Sequence, residues 1–195
     1  MILSIDTGLN NFGYAIIDKQ TKNIHTVGLI QTKKSKDKTI TVAHDYANRI
    51  QHITSELIAI IDNYPIDTIV GELPHLGTQS AGAALSLATG VSIAIAVAVS
   101  RGINCIWVSP WELKKVFTGK TNAEKTDIMQ KCCKVHNWPI TYKDIRGKKT
   151  GKVIRTDATY HVLDQKYGAN KFEHIADAIA AYHTYKQIGG YQVNA

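Results

Sequence analysis

Asp6, Glu72, His174 and Asp177 are of the types that hold a hard divalent cation, and their local settings suit that use. Asp6 ends an apolar run, Ile2-Leu3-Ser4-Ile5, and Glu72 ends another, Ile66-Asp67-Thr68-Ile69-Val70-Gly71. His174 and Asp177 stand three apart in Glu173-His174-Ile175-Ala176-Asp177-Ala178-Ile179-Ala180, a segment of helical periodicity. Acids at strand ends that face a helical His/Asp pair converge oxygen and nitrogen donors on metal, and cations held this way serve phosphate chemistry. Taken singly, each residue has a plainer reading. Asp6 is then a turn-initiating Asx residue, Glu72 a loop cap before Leu73-Pro74, and the helical pair the polar edge of a core face made by Ile175, Ala178 and Ile179. A carboxylate directly after a buried strand is costly unless liganded, which favours the joint reading.

The elements that must position these side chains alternate between strand and helix. Strands are predicted over 1–6, 12–18 and 24–31, with Gly8, Asn10, Asn11 and Gly13 in the first turn and 19–23 forming the second. Residues 39–62 place Ile40, Ala43, Ala47, Ile50, Ile53, Leu57, Ile60 and Ile61 at spacings of three and four, which predicts a long amphipathic helix. Pro65 separates it from an apolar strand over 66–71. A helix over 80–100 and a buried strand over 103–108 follow. Ser109, Pro110 and Glu112 form a helix-start signature, and Asn122 is placed to cap a helix over 123–137. Residues 138–157 read as a basic loop, and a last helix runs over 172–187. The layout is α/β: a mixed central sheet of about five strands, the first three antiparallel, flanked by helices.

Length and charge narrow the partner. A chain of 195 residues has room for one domain with a sizeable core, and 44% apolar with 20% charged residues is ordinary globular composition. The net charge of +7 is concentrated: residues 114–171 hold 14 Lys/Arg against 5 Asp/Glu, a net of +9, which leaves the remainder at −2. A basic region on a near-neutral body suits a polyanion. Cys105, Cys132 and Cys133 have neither metal-ligand spacing nor the even count of a disulfide framework, so a reducing cytoplasmic setting is expected. No signal peptide is visible, since Met1 leads straight into strand-like sequence. Leu76 to Ser100 carries no charge and is long enough to span a bilayer, but its Ala, Gly, Ser and Thr content suits close helix packing instead. No membrane partner is expected.

Four of these elements, in this order, resemble the RuvC-type Holliday junction resolvases. They are Asp6-Thr7-Gly8, Gly13-Tyr14-Ala15, the strand ending at Glu72 and the His174-x-x-Asp177-Ala-Ile-Ala helix, and the resemblance extends to Leu113-Lys114 and the Ala123-Glu124-Lys125 helix start. The resemblance runs over most of the chain and is weakest over 138–171, which reads as a basic insertion in a single nuclease domain spanning 1–195. It implies a ribonuclease-H-like fold and a metal-dependent endonuclease that resolves four-way junctions by paired, symmetric nicks. It also implies two Mg²⁺ ions per site, with Asp6 bridging them and Glu72, His174 and Asp177 completing the ligands. Histidine at 174 fills a position the family occupies with aspartate or histidine. It removes one negative charge, which brings Mn²⁺ into consideration. Lys114 and Lys125 match lysines placed near the scissile phosphate, and Lys115 is a neighbour able to substitute in register.

The same resemblance implies a homodimer, with helix 80–100 as the expected dimer surface. Family members carry an aromatic wedge shortly after the second acid. Here the nearby residue is His75, which can stack on a base. Lys143, Arg146, Lys148, Lys149, Lys152 and Arg155 form a candidate arm on DNA backbone, with Trp138 and Tyr142 beside it. Two other functions stay open at this level: a general nuclease for flaps, forks and three-way junctions, and a non-catalytic junction-binding module. The first motif also resembles the phosphate hairpin of actin-like ATPases and sugar kinases. The chain lacks room for their second lobe, so no nucleotide cofactor is expected.

Overall fold

The structure is a computed structural model, and it describes residues 1–74, 80–146 and 150–193. A central sheet has the order β3-β2-β1-β4-β5-β9. Its strands are β1 (Ile2–Thr7), β2 (Asn11–Ile17), β3 (Ile24–Gln31), β4 (Thr68–Glu72), β5 (Asn104–Val108) and β9 (Tyr191–Val193). β1, β2 and β3 form an antiparallel meander, β4 and β5 run parallel to β1, and β9 closes the far edge antiparallel to β5. The mixed α/β sheet expected from the sequence is therefore present, with one short strand more.

Two helical layers cover this sheet, and strand alternation decides which residue meets which layer. Leu3, Ile5 and Ile69 face α1 (Val42–Asn63) and α2 (Ala81–Ser100), packing with Ile53, Leu57, Ile93 and Val97. Ile2 and Val70 point the other way, towards α5 (Ala169–Ile188) and its buried Ile175, Ala176 and Ile179. Period-two counting from Ile2 and from Val70 puts Asp6 and Glu72 on this α5 face. Ser4 lies between them in the same phase, and its hydroxyl donates to the Ala178 carbonyl at 2.5 Å. This buried hydroxyl ties α5 to β1 next to Asp177 and one turn from His174.

Close approach of α5 depends on Gly13, which sits within β2 opposite Asp6 rather than in the preceding turn. A Cβ there would meet the His174 carbonyl oxygen at 2.3 Å and carbonyl carbon at 2.5 Å. Backbone cannot yield as a flexible side chain does, so Gly13→Ala must lift the first half of α5 off the sheet. The expected result is a loss of about 1–3 kcal/mol in stability, as in other overpacked cores, with little residual activity. Chemical denaturation and a cleavage assay on the same sample check this. α2 is likewise seated by Gly90, where a Cβ would meet the Thr7 carbonyl oxygen at 2.3 Å. Although α2 is long and apolar enough to cross a bilayer, it packs on α1 and the sheet, and the Tyr46 and Thr89 hydroxyls pair at 2.5 Å.

The segment read as a basic loop is mostly strand. β6 (Ile140–Arg146), β7 (Val153–Val162) and β8 (Gln165–Gly168) make a second, antiparallel sheet. Its base is anchored in the core by Tyr160, Val162 and Tyr167, with the Tyr160 ring stacked on Phe172 at 4.5 Å. Its outer half, beyond Tyr142, is a two-stranded ribbon exposed along nearly all its length. Solvent on both sides removes the apolar alternation by which a strand is recognised. The helix expected over 123–137 begins at Lys125, so Asn122 does not cap it. Glu124 stands at the N-cap instead, its backbone N–H donating to Asp127 Oδ2 at 2.9 Å. The Ser109/Glu112 box forms as expected and starts α3 (Pro110–Leu113).

Candidate active site

Asp6 and Glu72 end neighbouring parallel strands and project towards α5, where His174 and Asp177 occupy successive positions one turn apart. All four line one cavity of about 1030 Å³. His174 Nδ1 lies 2.6 Å from Asp6 Oδ2, which joins strand and helix directly. Lys114 and Lys125 line the same cavity. Lys114 opens a π-helical turn, Lys114–Thr118, that continues α3, while Phe117 of that turn fills the core. Such turns re-aim a side chain without ending the helix and recur at functional sites. Lys125 is the first residue of α4 (Lys125–His136), and its ammonium pairs with Glu173 at 3.1 Å.

The carboxylates stand in a setting hostile to their own charge. Burial, then the charge of Asp6, pushes the Glu72 carboxyl up to about 7, against a downward pull from Lys114. Burial pushes Asp177 well above the ordinary carboxylate range, with Asp6 and Glu72 adding to the effect. Clustered carboxylates that resist ionisation together are relieved by a cation. Three carboxylates and an imidazole form a donor set that fits Mg²⁺ or Mn²⁺. Among the described residues, no group of three or more His, Cys, Asp or Glu side chains is already drawn in as a closed ligand set. The fit therefore rests on donor chemistry and shared cavity rather than on finished coordination.

The other sequence-derived candidates are placed elsewhere. Lys115 does not line the cavity; its ammonium lies 4.5 Å above the ring of Trp111, an exposed side chain. Lys143, Arg146, Lys152 and Arg155 lie on or beside the β6–β7 ribbon, away from the carboxylates. Arg155 pairs with Asp157 at 3.0 Å, and Arg146 donates to the Gly151 carbonyl at 3.1 Å. His75, Lys148 and Lys149 lie outside the described residues. Sequence reasoning misses Asn11 and Glu173, which approach His174, and Gln31, which holds Asn11. Asn11 reads as a turn former in the sequence, and only cross-strand register shows its side chain reaching α5.

Comparison with known proteins bears on the family and the fold. The family model described as Crossover junction endodeoxyribonuclease RuvC matches residues 2–141. The chain is similar to the crossover junction endodeoxyribonuclease RuvC of Christiangramia forsetii, with 28% identity over 128 residues. That alignment covers 66% of this chain and 63% of the relative, less than two thirds of the relative's length. The protein of the same name from Citrifermentans bemidjiense is 30% identical over 141 residues, covering 71% of this chain and 80% of the relative. Among solved structures, T. thermophilus RuvC in complex with a Holliday junction substrate superposes with a TM-score of 0.65. That match covers 98% of both chains at 12% identity, so it shows a shared fold.

Proposed function

The chain belongs to the crossover junction endodeoxyribonuclease RuvC family, and from that premise we propose that it resolves four-way DNA junctions by metal-dependent phosphodiester hydrolysis. The observation that carries this reading is one cavity lined by Asp6, Glu72, His174 and Asp177 together with Lys114 and Lys125. The four donors would hold two Mg²⁺ ions, with Mn²⁺ as the alternative that an imidazole ligand admits. When bound, the ions supply water activation and stabilisation of the leaving 3′-oxygen, giving 5′-phosphate ends. Asp6 and Glu72 fix their oxygens from rigid strand ends. His174 presents a ring nitrogen and Asp177 its oxygens from a helix tied to β1 by Ser4 and admitted close to the sheet by Gly13. Lys114 and Lys125 neutralise the scissile phosphate as it enters between them.

A junction has equivalent strands to cut, and a twofold homodimer sets two such cavities on them. The face of α2 turned away from its own core supports this, since Leu85 and Val99 are largely exposed there. We read the chain as one nuclease domain whose β6–β8 sheet adds a basic arm for DNA backbone. Buried free thiols at Cys105, Cys132 and Cys133, together with bacterial relatives, suit a cytoplasmic setting.

The deciding experiment compares cleavage of a synthetic four-way junction, a three-way junction, a flap and linear duplex at one salt concentration. Paired nicks in the four-way junction with Mg²⁺ or Mn²⁺ are expected. Equal cutting of every branched substrate would make the chain a general branch nuclease, and binding without cleavage under either metal would make it a silent binding module. The arm makes a separate prediction. Lys143→Ala and Lys152→Ala should each lower the salt slope of junction binding by about one and weaken binding alike for all sequences. An unchanged slope in the double variant removes the arm from the interface.

A further inference from the structure

Two side chains outside the donor set, Asn11 and Glu173, approach His174, and a third, Gln31, backs Asn11. Asn11 opens β2 directly opposite Gln31, the last residue of β3. Gln31 Nε2 donates to Asn11 Oδ1 at 2.8 Å. With its carbonyl end engaged, the Asn11 amide turns its NH₂ to His174, placing Nδ2 3.3 Å from Nε2. A neutral imidazole that accepts at Nε2 carries its proton on Nδ1, where it donates to Asp6 Oδ2. The path Gln31–Asn11–His174–Asp6 thus favours one tautomer from a frame fixed by strand register.

That tautomer is the wrong one for a ligand. Nδ1 is the ring atom beside Asp6, so a cation shared by these two residues needs the Nδ1 lone pair. The ring proton must then sit on Nε2, opposite an NH₂ group of like polarity. The acceptor within reach is Glu173, whose Oε1 lies 3.5 Å from Nε2, long for a hydrogen bond and short enough for a small side-chain rotation to close. The same oxygen holds the Lys125 ammonium at 3.1 Å. Metal-bound histidines ordinarily hand their second ring N–H to a carboxylate or carbonyl, which fixes ring orientation.

We propose that Glu173 is a positioning residue that accepts the His174 Nε2 proton in the metal-loaded state, while Asn11, backed by Gln31, steadies the opposite tautomer in the metal-free protein. Metal loading then moves one proton from Nδ1 to Nε2 of the same ring. The shift of Glu173 towards the ring loosens its hold on Lys125, freeing that ammonium for phosphate. This inference rests on the nuclease reading of the site and adds a residue to it.

The test uses the full chain without DNA. Spectra of ¹⁵N-histidine-labelled wild-type protein read the tautomer, with His174→Gln identifying the signal. Nδ1–H is expected without metal and Nε2–H with saturating Mg²⁺. In calorimetry, Glu173→Ala is expected to weaken Mn²⁺ binding by roughly ten- to a hundredfold. Glu173→Gln, whose carbonyl still accepts from Nε2, is expected to recover most of that loss, a rescue that a merely structural role does not give. The same tautomer with and without Mg²⁺, or Mn²⁺ binding by Glu173→Ala as tight as wild type, overturns the inference and leaves the nuclease reading standing. Wild-type protein that binds neither ion removes the nuclease reading itself. The spectra need no Glu173 variant, so poor folding of Glu173→Ala leaves the question answerable.

Discussion

Asp177→Asn is expected to cut junction cleavage by about a thousandfold or more, to leave junction binding nearly intact, and to raise the melting temperature of the metal-free protein. The first effect follows from the donor set. A metal ion contributes several kcal/mol of transition-state stabilisation, and about 4 kcal/mol corresponds to a thousandfold in rate. An amide oxygen in place of the carboxylate keeps the shape and loses the charge. Binding is expected to persist because the phosphate contacts proposed for Lys114, Lys125 and the ribbon are left in place. The third effect separates this site from an ordinary helix edge. Burial, with Asp6 and Glu72 adding to it, raises the Asp177 carboxyl well above its value in the unfolded chain. A group raised in this way favours the fold at pH below its unfolded value, and that contribution is lost as pH rises towards the folded value. At pH 7.5 without metal, wild type bears this penalty and the asparagine variant does not. Melts in EDTA between pH 6.5 and 8 check it. The window avoids His183, whose imidazole burial pushes down to about 4 and which destabilises the fold in acid. Wild-type cleavage rates in the variant would remove Asp177 from the catalytic site, and a lowered melting temperature would show that no buried repulsion exists there.

The carboxylates of this site were legible in the sequence because strand and helix periods are short and local. Ile2, Ser4 and Asp6 share one phase of β1, Val70 and Glu72 share one phase of β4, and His174 and Asp177 are one helical turn apart. Hydrophobic alternation therefore orients the acids before any contact is known. The ribbon was not legible for the converse reason. Thr141, Tyr142, Lys143 and Asp144 are all exposed, so no face is apolar and the strand carries no period. β9 spans three residues, too few to alternate visibly. Asn11, Gln31 and Glu173 depend on which residue stands opposite which across β2 and β3, and on the seating of α5 above them. Register of that kind is a property of the packed sheet, and a polar residue carries no local mark of it. Gly13 shows the same limit: a glycine in Asn11-Phe12-Gly13 reads as turn chemistry, whereas its use is to admit the His174 backbone.

The Mg²⁺ concentration needed for half-maximal cleavage is expected to rise by at least about tenfold when pH falls from 8 to 6. The Glu72 carboxyl, pushed up to about 7 by burial and by the charge of Asp6, is protonated below that pH. A cation that uses this oxygen must displace the proton, so affinity falls about tenfold per pH unit once pH is below 7. Asp177 is raised as well, and a second displaced proton would steepen the dependence towards about a hundredfold per unit. The same linkage fixes the sign for stability. A raised carboxyl lowers metal-free stability as pH increases from its unfolded value towards 7, and bound Mg²⁺ returns stability by mass action. Added Mg²⁺ should therefore raise the melting temperature more at pH 8 than at pH 6. Titrations of Mg²⁺ at pH 6, 7 and 8 and constant ionic strength test both statements. If protons compete with the metal, excess Mg²⁺ at pH 6 restores the pH 8 rate. If the rate stays low at saturation, the titrating group acts in the chemical step, and Glu72 is not simply a metal donor. An affinity independent of pH would contradict the buried, mutually repelling carboxylates altogether. In Glu72→Gln, which has no proton to displace at that position, affinity should be weak at every pH and the dependence shallower by one proton. That change of slope assigns the titration to this residue rather than to Asp177.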